Sequence, residues 1–112
     1  YNRYGLRQLQ KSNLEKAEYY FRKALLLEPG DHLANYNLAC TLALKLKTNF
    51  CEFQEILPDI YGYLSNAVRE NPEYKTRVLT DPDFDILKSR IGFYESLGYD
   101  LKKKQDSGLI LS

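Results

Sequence analysis

The sequence predicts an all-α protein built from several helices, and two observations carry that prediction. The first is periodicity: Leu14, Ala17, Phe21, Ala24 and Leu25 follow the i, i+3, i+4, i+7 rule that places apolar side chains on one helical face. The second is punctuation. Asn13, Pro29-Gly30, Asp31, Pro72, Asp81-Pro82 and Gly98 stand between the apolar segments, where helix caps and stops belong. At 112 residues, 44% of them hydrophobic, the chain has the length for one domain around one core and the composition of a globular protein.

The elements follow in order. Residues 1–11 read as a first short helix, although Gly5 inside it costs about 1 kcal/mol relative to Ala. Ser12-Asn13 breaks the pattern, and the Asn13 side-chain oxygen caps a second helix running from about Leu14 to Glu28. A second stripe on it, Tyr20, Ala24 and Leu27, widens the apolar face as expected for a helix packed between two neighbours. Pro29-Gly30 ends that helix, and Asp31 caps the next, His32 to about Leu46. A fourth is expected over Pro58–Asn71, because proline is favoured in a helix's first turn and disfavoured inside. After Pro72 come a short helix at Glu73–Thr80, Asp81-Pro82 as cap and first-turn pair, and closing helices at Asp83–Ser89 and Ile91–Leu97. Residues 99–112, with Lys102-Lys103-Lys104 and the apolar Leu109-Ile110-Leu111, are expected to form a loose basic tail.

One spacing goes further. Tyr1, Tyr4-Gly5, Ala17, Phe21, Ala24 and Pro29 fall at the intervals of an aromatic, a Leu-Gly pair, an Ala-x3-Phe and a closing Pro. On these residues the chain resembles the tetratricopeptide-repeat family. The resemblance implies a right-handed array of two helix-turn-helix repeats closed by capping helices, as one domain over residues 1–98. The first repeat would cover about 1–30, the second about 31–71, and the caps about 72–98. It also explains Gly5, since a small residue there lets the following helix approach closely. A shift of one repeat length takes Tyr4, Gly5 and Gln8 to Leu38, Ala39 and Leu42, all compatible with a second repeat, and Tyr36-Asn37-Leu38-Ala39 looks like its helix core. The match then lapses at Cys51 and resumes with Ile60, Leu64, Ala67 and Pro72, so an insertion of about nine residues is expected near residues 47–57. The stretch from Asn71 to Leu87 is similar to a closing segment found in bacterial members; Val78, Leu79, Phe84 and Leu87 would cover the apolar face that the last repeat leaves without a successor. Tyr1 already occupies the family's first aromatic position, inside the first helix, so the natural chain is expected to extend upstream.

Composition excludes several function classes. Net charge is +1, which makes no general case for nucleic-acid binding. Residues 1–50 carry eight Lys/Arg against four Asp/Glu, residues 51–85 three against eight, and residues 86–112 five against three. That asymmetry steers a charged partner within the screening distance of about 8 Å in physiological salt. No apolar run approaches the roughly 20 residues that cross a bilayer. Two cysteines, Cys40 and Cys51, without a CxxC and with one histidine, form neither a disulfide framework nor a zinc site, and favour a reducing, cytoplasmic setting.

No catalytic constellation is present, so the protein is not expected to be an enzyme, nor to hold a metal or cofactor. His32 follows a helix cap and reads as a solvated first-turn residue. Cys40 reads as small apolar filler; Cys51 has Glu52 beside it, where a reactive thiol needs positive charge. Asp81-Pro82-Asp83-Phe84-Asp85 alternates acids like a calcium loop, but Ile86 and Gly92 stand where that loop requires Gly and Glu. Helix capping accounts for it better.

The resemblance implies a partner-binding groove lined by the first helix of each repeat: Asn2, Leu6, Leu9 and Gln10, then Leu33, Tyr36, Asn37, Cys40 and Leu44. Mostly apolar with a few amides, this face suits an extended peptide or an amphipathic helix. Leu6→Asp or Tyr36→Ala is then expected to abolish binding without unfolding the domain. A family variant that clamps a partner's C-terminal carboxylate uses Lys and Asn where this chain has Asn2 and Leu6, which argues against that mode. Two further readings stand beside the groove: that the chain's own C-terminal segment occupies it, and that the domain serves self-association, as a homodimer, or as an intrachain scaffold.

Overall fold

A computed structural model describes residues 1–48 and 53–99, and every regular element among them is helical. Helices α1 (Asn2–Gln10), α2 (Leu14–Leu27), α3 (His32–Thr48), α4 (Phe53–Glu70) and α5 (Tyr74–Thr80) are followed by a 3-10 segment (Pro82–Leu87) and α6 (Ile91–Ser96). Part of the expected insertion, Cys51 and the tail from residue 100 onward lie outside the described residues.

Local chemistry sets the first three helices. Ser12 takes a left-handed conformation (φ 61°), and the amides of Ser12 and Asn13 turn back to the carbonyls of Leu9 and Gln8 at 3.0 and 2.9 Å. These two bonds satisfy carbonyls that the end of α1 leaves open. Asn13 then caps α2 by accepting from the Lys16 amide at 3.2 Å. Asp31 does the same for α3: its Oδ1 accepts from the Leu33 and Ala34 amides, and its Oδ2 from the Asn2 side chain at 2.7 Å. The start of α3 is thereby tied to the start of α1.

Helix α3 is the centre of the fold. It packs chiefly on α2 and α4 and also receives the 3-10 segment, and Ala34 through Ala43 are buried without interruption. Such a helix has no solvent face over about three turns. The buried Asn35 is accommodated because its Nδ2 donates to the Pro29 and Asp31 carbonyls, while its Oδ1 accepts from Asn66 of α4. Gly5 packs against Phe21: a Cβ at Gly5 would sit 2.5 Å from Phe21 Cε1.

Two boundaries differ from the sequence expectation. Helix α4 begins at Phe53 and carries Pro58 inside it. The apolar series Phe53, Leu57, Ile60, Leu64, Ala67 is buried as one stripe, and the Arg90 guanidinium lies 4.2 Å from the Phe53 ring centre. Burying that stripe outweighs the one helical hydrogen bond that Pro58 cannot make; Pro58 and Gln54, whose carbonyl loses its donor, are exposed, so solvent can satisfy it. The second difference is at Pro82–Leu87, a 3-10 rather than an α-helix. In that geometry residues three apart eclipse, which aligns Phe84 and Leu87, both fully buried.

An ionic knot joins three helices. Glu18 of α2 accepts from Arg22 and from Lys45 of α3, each at 2.8 Å, and Arg22 donates onward to the Tyr63 hydroxyl of α4 at 3.0 Å. Burial by itself would raise the Glu18 carboxyl, but its bonds to Lys45 and Arg22 outweigh that and hold it below its ordinary 4.5. A carboxyl depressed by folding adds stability above its unfolded value and loses it as pH falls through the folded one. Chemical denaturation from neutral pH downward is therefore expected to show wild-type stability falling below about pH 4.5, with a shallower fall in Glu18→Gln. Equal slopes for the two proteins would refute this account of the knot.

Candidate functional site

The residues expected to line a groove divide into two groups. Asn2, Leu6 and Gln10 of α1 meet Leu33 of α3 in an open depression flanked by Arg3 and Arg7. Leu6 and Leu9 rest partly on the core, so their remaining surface is apolar but anchored. Leu44 is half-buried farther along α3 and does not line this depression. Asn2 is held by its bond to Asp31, which leaves its Oδ1 buried without a hydrogen-bond partner among the described residues.

The second group is covered. Tyr36 and Cys40 are each 2% exposed and Asn37 4%, because the chain returns across this part of α3 through α5 and the 3-10 segment. Tyr36 stacks on Tyr74 with ring centres 4.9 Å apart, meets Phe84 edge-on at 5.9 Å, and lies under the Arg77 guanidinium at 4.8 Å. Its hydroxyl donates to Asp81 Oδ2, which the Cys40 thiol also approaches at 3.9 Å. Asp81 Oδ1 meanwhile accepts from the Asp83 amide at 2.9 Å, capping the 3-10 segment. The expectation that Tyr36, Asn37 and Cys40 offer a surface to a partner is thus not met in this structure. They form the seat of the C-terminal segment. The Nδ2 of Asn37 is buried there without a partner among the described residues, and nothing in the structure explains it.

This seat is chemically quiet. Burial pushes the Cys40 thiol well above its ordinary value, and the Asp81 carboxylate adds to the shift. Since the thiolate is the nucleophile, a thiol so placed stays protonated and inert. Burial, then Cys40 and Asp81, raise the Tyr36 phenol as well. The Cys40 sulfur and carboxylate oxygens of Asp81 and Asp83 lie within 4.8 Å of one another, a grouping close enough to hold a metal. Hydrogen bonding accounts for its geometry without one, because both oxygens of Asp81 are already engaged by protein donors. His32 is half-buried rather than solvated, with its Nδ1 3.1 Å from the Tyr74 hydroxyl.

The structure brings together two surface features that the sequence reading does not assemble. Arg3 and Arg7 flank the depression, a role signalled by their four-residue spacing. A tyrosine cluster lies elsewhere on α1 and α2: Tyr20 meets the rings of Tyr1, Tyr4 and Tyr19, and the Lys23 ammonium lies 5.6 and 5.1 Å from the Tyr1 and Tyr19 ring centres. Comparison of the chain with protein-family models, with curated proteins and with solved structures returns no match.

Proposed function

We propose that the chain is a non-catalytic interaction module of tetratricopeptide-repeat type, which binds a peptide or a helix of another protein on the open face of α1 and the first turn of α3. The observation that carries this reading is the open depression that Leu6 and Leu33 line together with Gln10, Arg3 and Arg7. Apolar surface flanked by hydrogen-bonding groups suits a polypeptide, whose own surface alternates in the same way. The 34-residue correspondence of Gly5 with Ala39, and the close packing of Gly5 on Phe21, support the repeat assignment. The protonated, enclosed thiol of Cys40 supports a non-catalytic role and a reducing compartment such as the cytoplasm. No helix among the described residues is long and apolar enough to cross a membrane.

Leu6→Asp tests the assignment. Proteins captured from a lysate by the immobilised wild type are expected to be lost on the variant, with its melting curve still cooperative. Identical capture by both proteins would remove the depression from consideration. The exposed rings of Tyr1, Tyr4 and Tyr19 favour one second reading, self-association through that cluster. It predicts a mass in solution that rises with protein concentration and stops doing so in Tyr4→Ser.

A further inference from the structure

The flanks of the depression are basic without relief. Arg3, Arg7 and Lys11 follow one another at i, i+4, i+8, a single drifting stripe along the helix, and all three are exposed. Helix α1 contains no acidic residue. Among the described residues none of the three cations is in a salt bridge, the bridged cations being Arg22, Lys45 and Lys88. Asp31, which bonds Asn2 at the edge of the depression, is already engaged by the Leu33 and Ala34 amides and by Asn2. This arrangement works in part against the free protein. Like charges four apart repel along a helix, and Arg3 in the first turn opposes the helix dipole, although Arg7 in the last turn and Lys11 at the C-cap complement it.

We infer that this stripe selects an acidic partner: a polypeptide segment whose carboxylates meet Arg3 and Arg7 while an apolar side chain between them enters the Leu6–Leu33 depression. The inference rests on the reading of this face as a peptide-binding site and specifies its ligand. Residues four apart on a helix rise about 6 Å. Acids four apart on a partner helix are likewise about 6 Å apart, and the position three along from the first acid shares their face, so an apolar residue there reaches the depression. Carboxylates at that spacing match the two guanidiniums, which bind carboxylate through two parallel N–H donors each. A protein segment is favoured over a nucleic acid because the contact centre is apolar and the cations are few, whereas nucleic-acid affinity comes from many phosphate contacts.

The test is selection of random peptides displayed on phage against the full chain, in parallel with Arg3→Glu/Arg7→Glu. Both positions are exposed, and circular dichroism checks that the double variant retains its helix content. Enriched peptides are expected to carry an excess of Asp and Glu around an apolar residue. Synthesised, they should bind the variant about tenfold or more weakly, as expected when two exposed ion pairs become repulsions, and should lose affinity with added salt. Enriched peptides without acidic excess, or unchanged affinity for the variant, would overturn the acidic assignment and leave the peptide-binding reading standing. No enrichment at all would overturn both. A labelled oligothymidylate that binds the wild type and not the variant, with no peptide enriched, would reassign the stripe to nucleic acid.

Discussion

Tyr36→Ala is expected to lower the stability of the domain by about 3–5 kcal/mol, the range for removing a large buried aromatic side chain. The sequence reading places Tyr36 in a partner groove and expects its removal to affect binding alone. Its burial changes the expectation. The ring fills the space between Tyr74, Phe84 and Arg77, and its hydroxyl donates to the carboxylate that caps the 3-10 segment. Truncation leaves a cavity and takes a donor from Asp81, so the C-terminal segment should loosen from α3. Total stability of a domain this size is about 5–15 kcal/mol, so a large fraction of it is at stake. Denaturant unfolding measures the loss, and alkylation of Cys40 under native conditions should accelerate as its cover opens. Tyr36→Phe separates the two contributions: it keeps the packing and costs about 1–3 kcal/mol, the penalty for an under-satisfied buried acceptor. An unchanged unfolding midpoint for Tyr36→Ala would mean that the C-terminal segment does not seat on α3.

Phe21→Ala should cost as much, about 3–5 kcal/mol, and its coupling to Gly5 is the more discriminating measurement. In the wild type, Gly5→Ala brings a methyl group to 2.5 Å from the Phe21 ring. Overpacking of that kind costs about 1–3 kcal/mol, enough to offset the gain of about 1 kcal/mol from replacing glycine in a helix. With Phe21 already reduced to Ala the obstruction is gone, and Gly5→Ala should become neutral or stabilising. The two substitutions are therefore expected to be non-additive, with a favourable interaction term. Simple additivity would show that α1 and α2 do not approach through this pair.

The legible parts of the fold share a cause. The ends of α1, the start of α2 and the start of α3 are set within a few residues of chain by Ser12-Asn13 and Asp31, and the structure places them within a residue or two of expectation. Pro58 was the misleading signal. A first-turn proline is the commoner case, but here the buried stripe begins earlier, at Phe53, and the exposed side of the helix tolerates the lost bond. The candidate site was half legible. Leu6, Gln10 and Leu33 line one depression, whereas Tyr36, Asn37 and Cys40 are covered. Arg3 and Arg7 beside them were visible as a four-residue spacing of like charge on a helix without acids, a pattern that carries meaning only once the depression between them is known.

By itself the sequence determined that this protein is helical, where most of its helices start and stop, and that the first pair must pack closely at Gly5. These properties depend on caps, breakers and side-chain volume, which act over a turn or two. Only the tertiary structure decided which face of α3 remains available. An apolar stripe states that a helix needs cover and not what supplies it. At Tyr36 the supplier is Asp81, 45 positions along the chain, together with Tyr74 and Phe84. With that segment docked, a depression between α1 and the first turn of α3 is open among the described residues, where Arg3 and Arg7 line it beside Leu6 and Leu33.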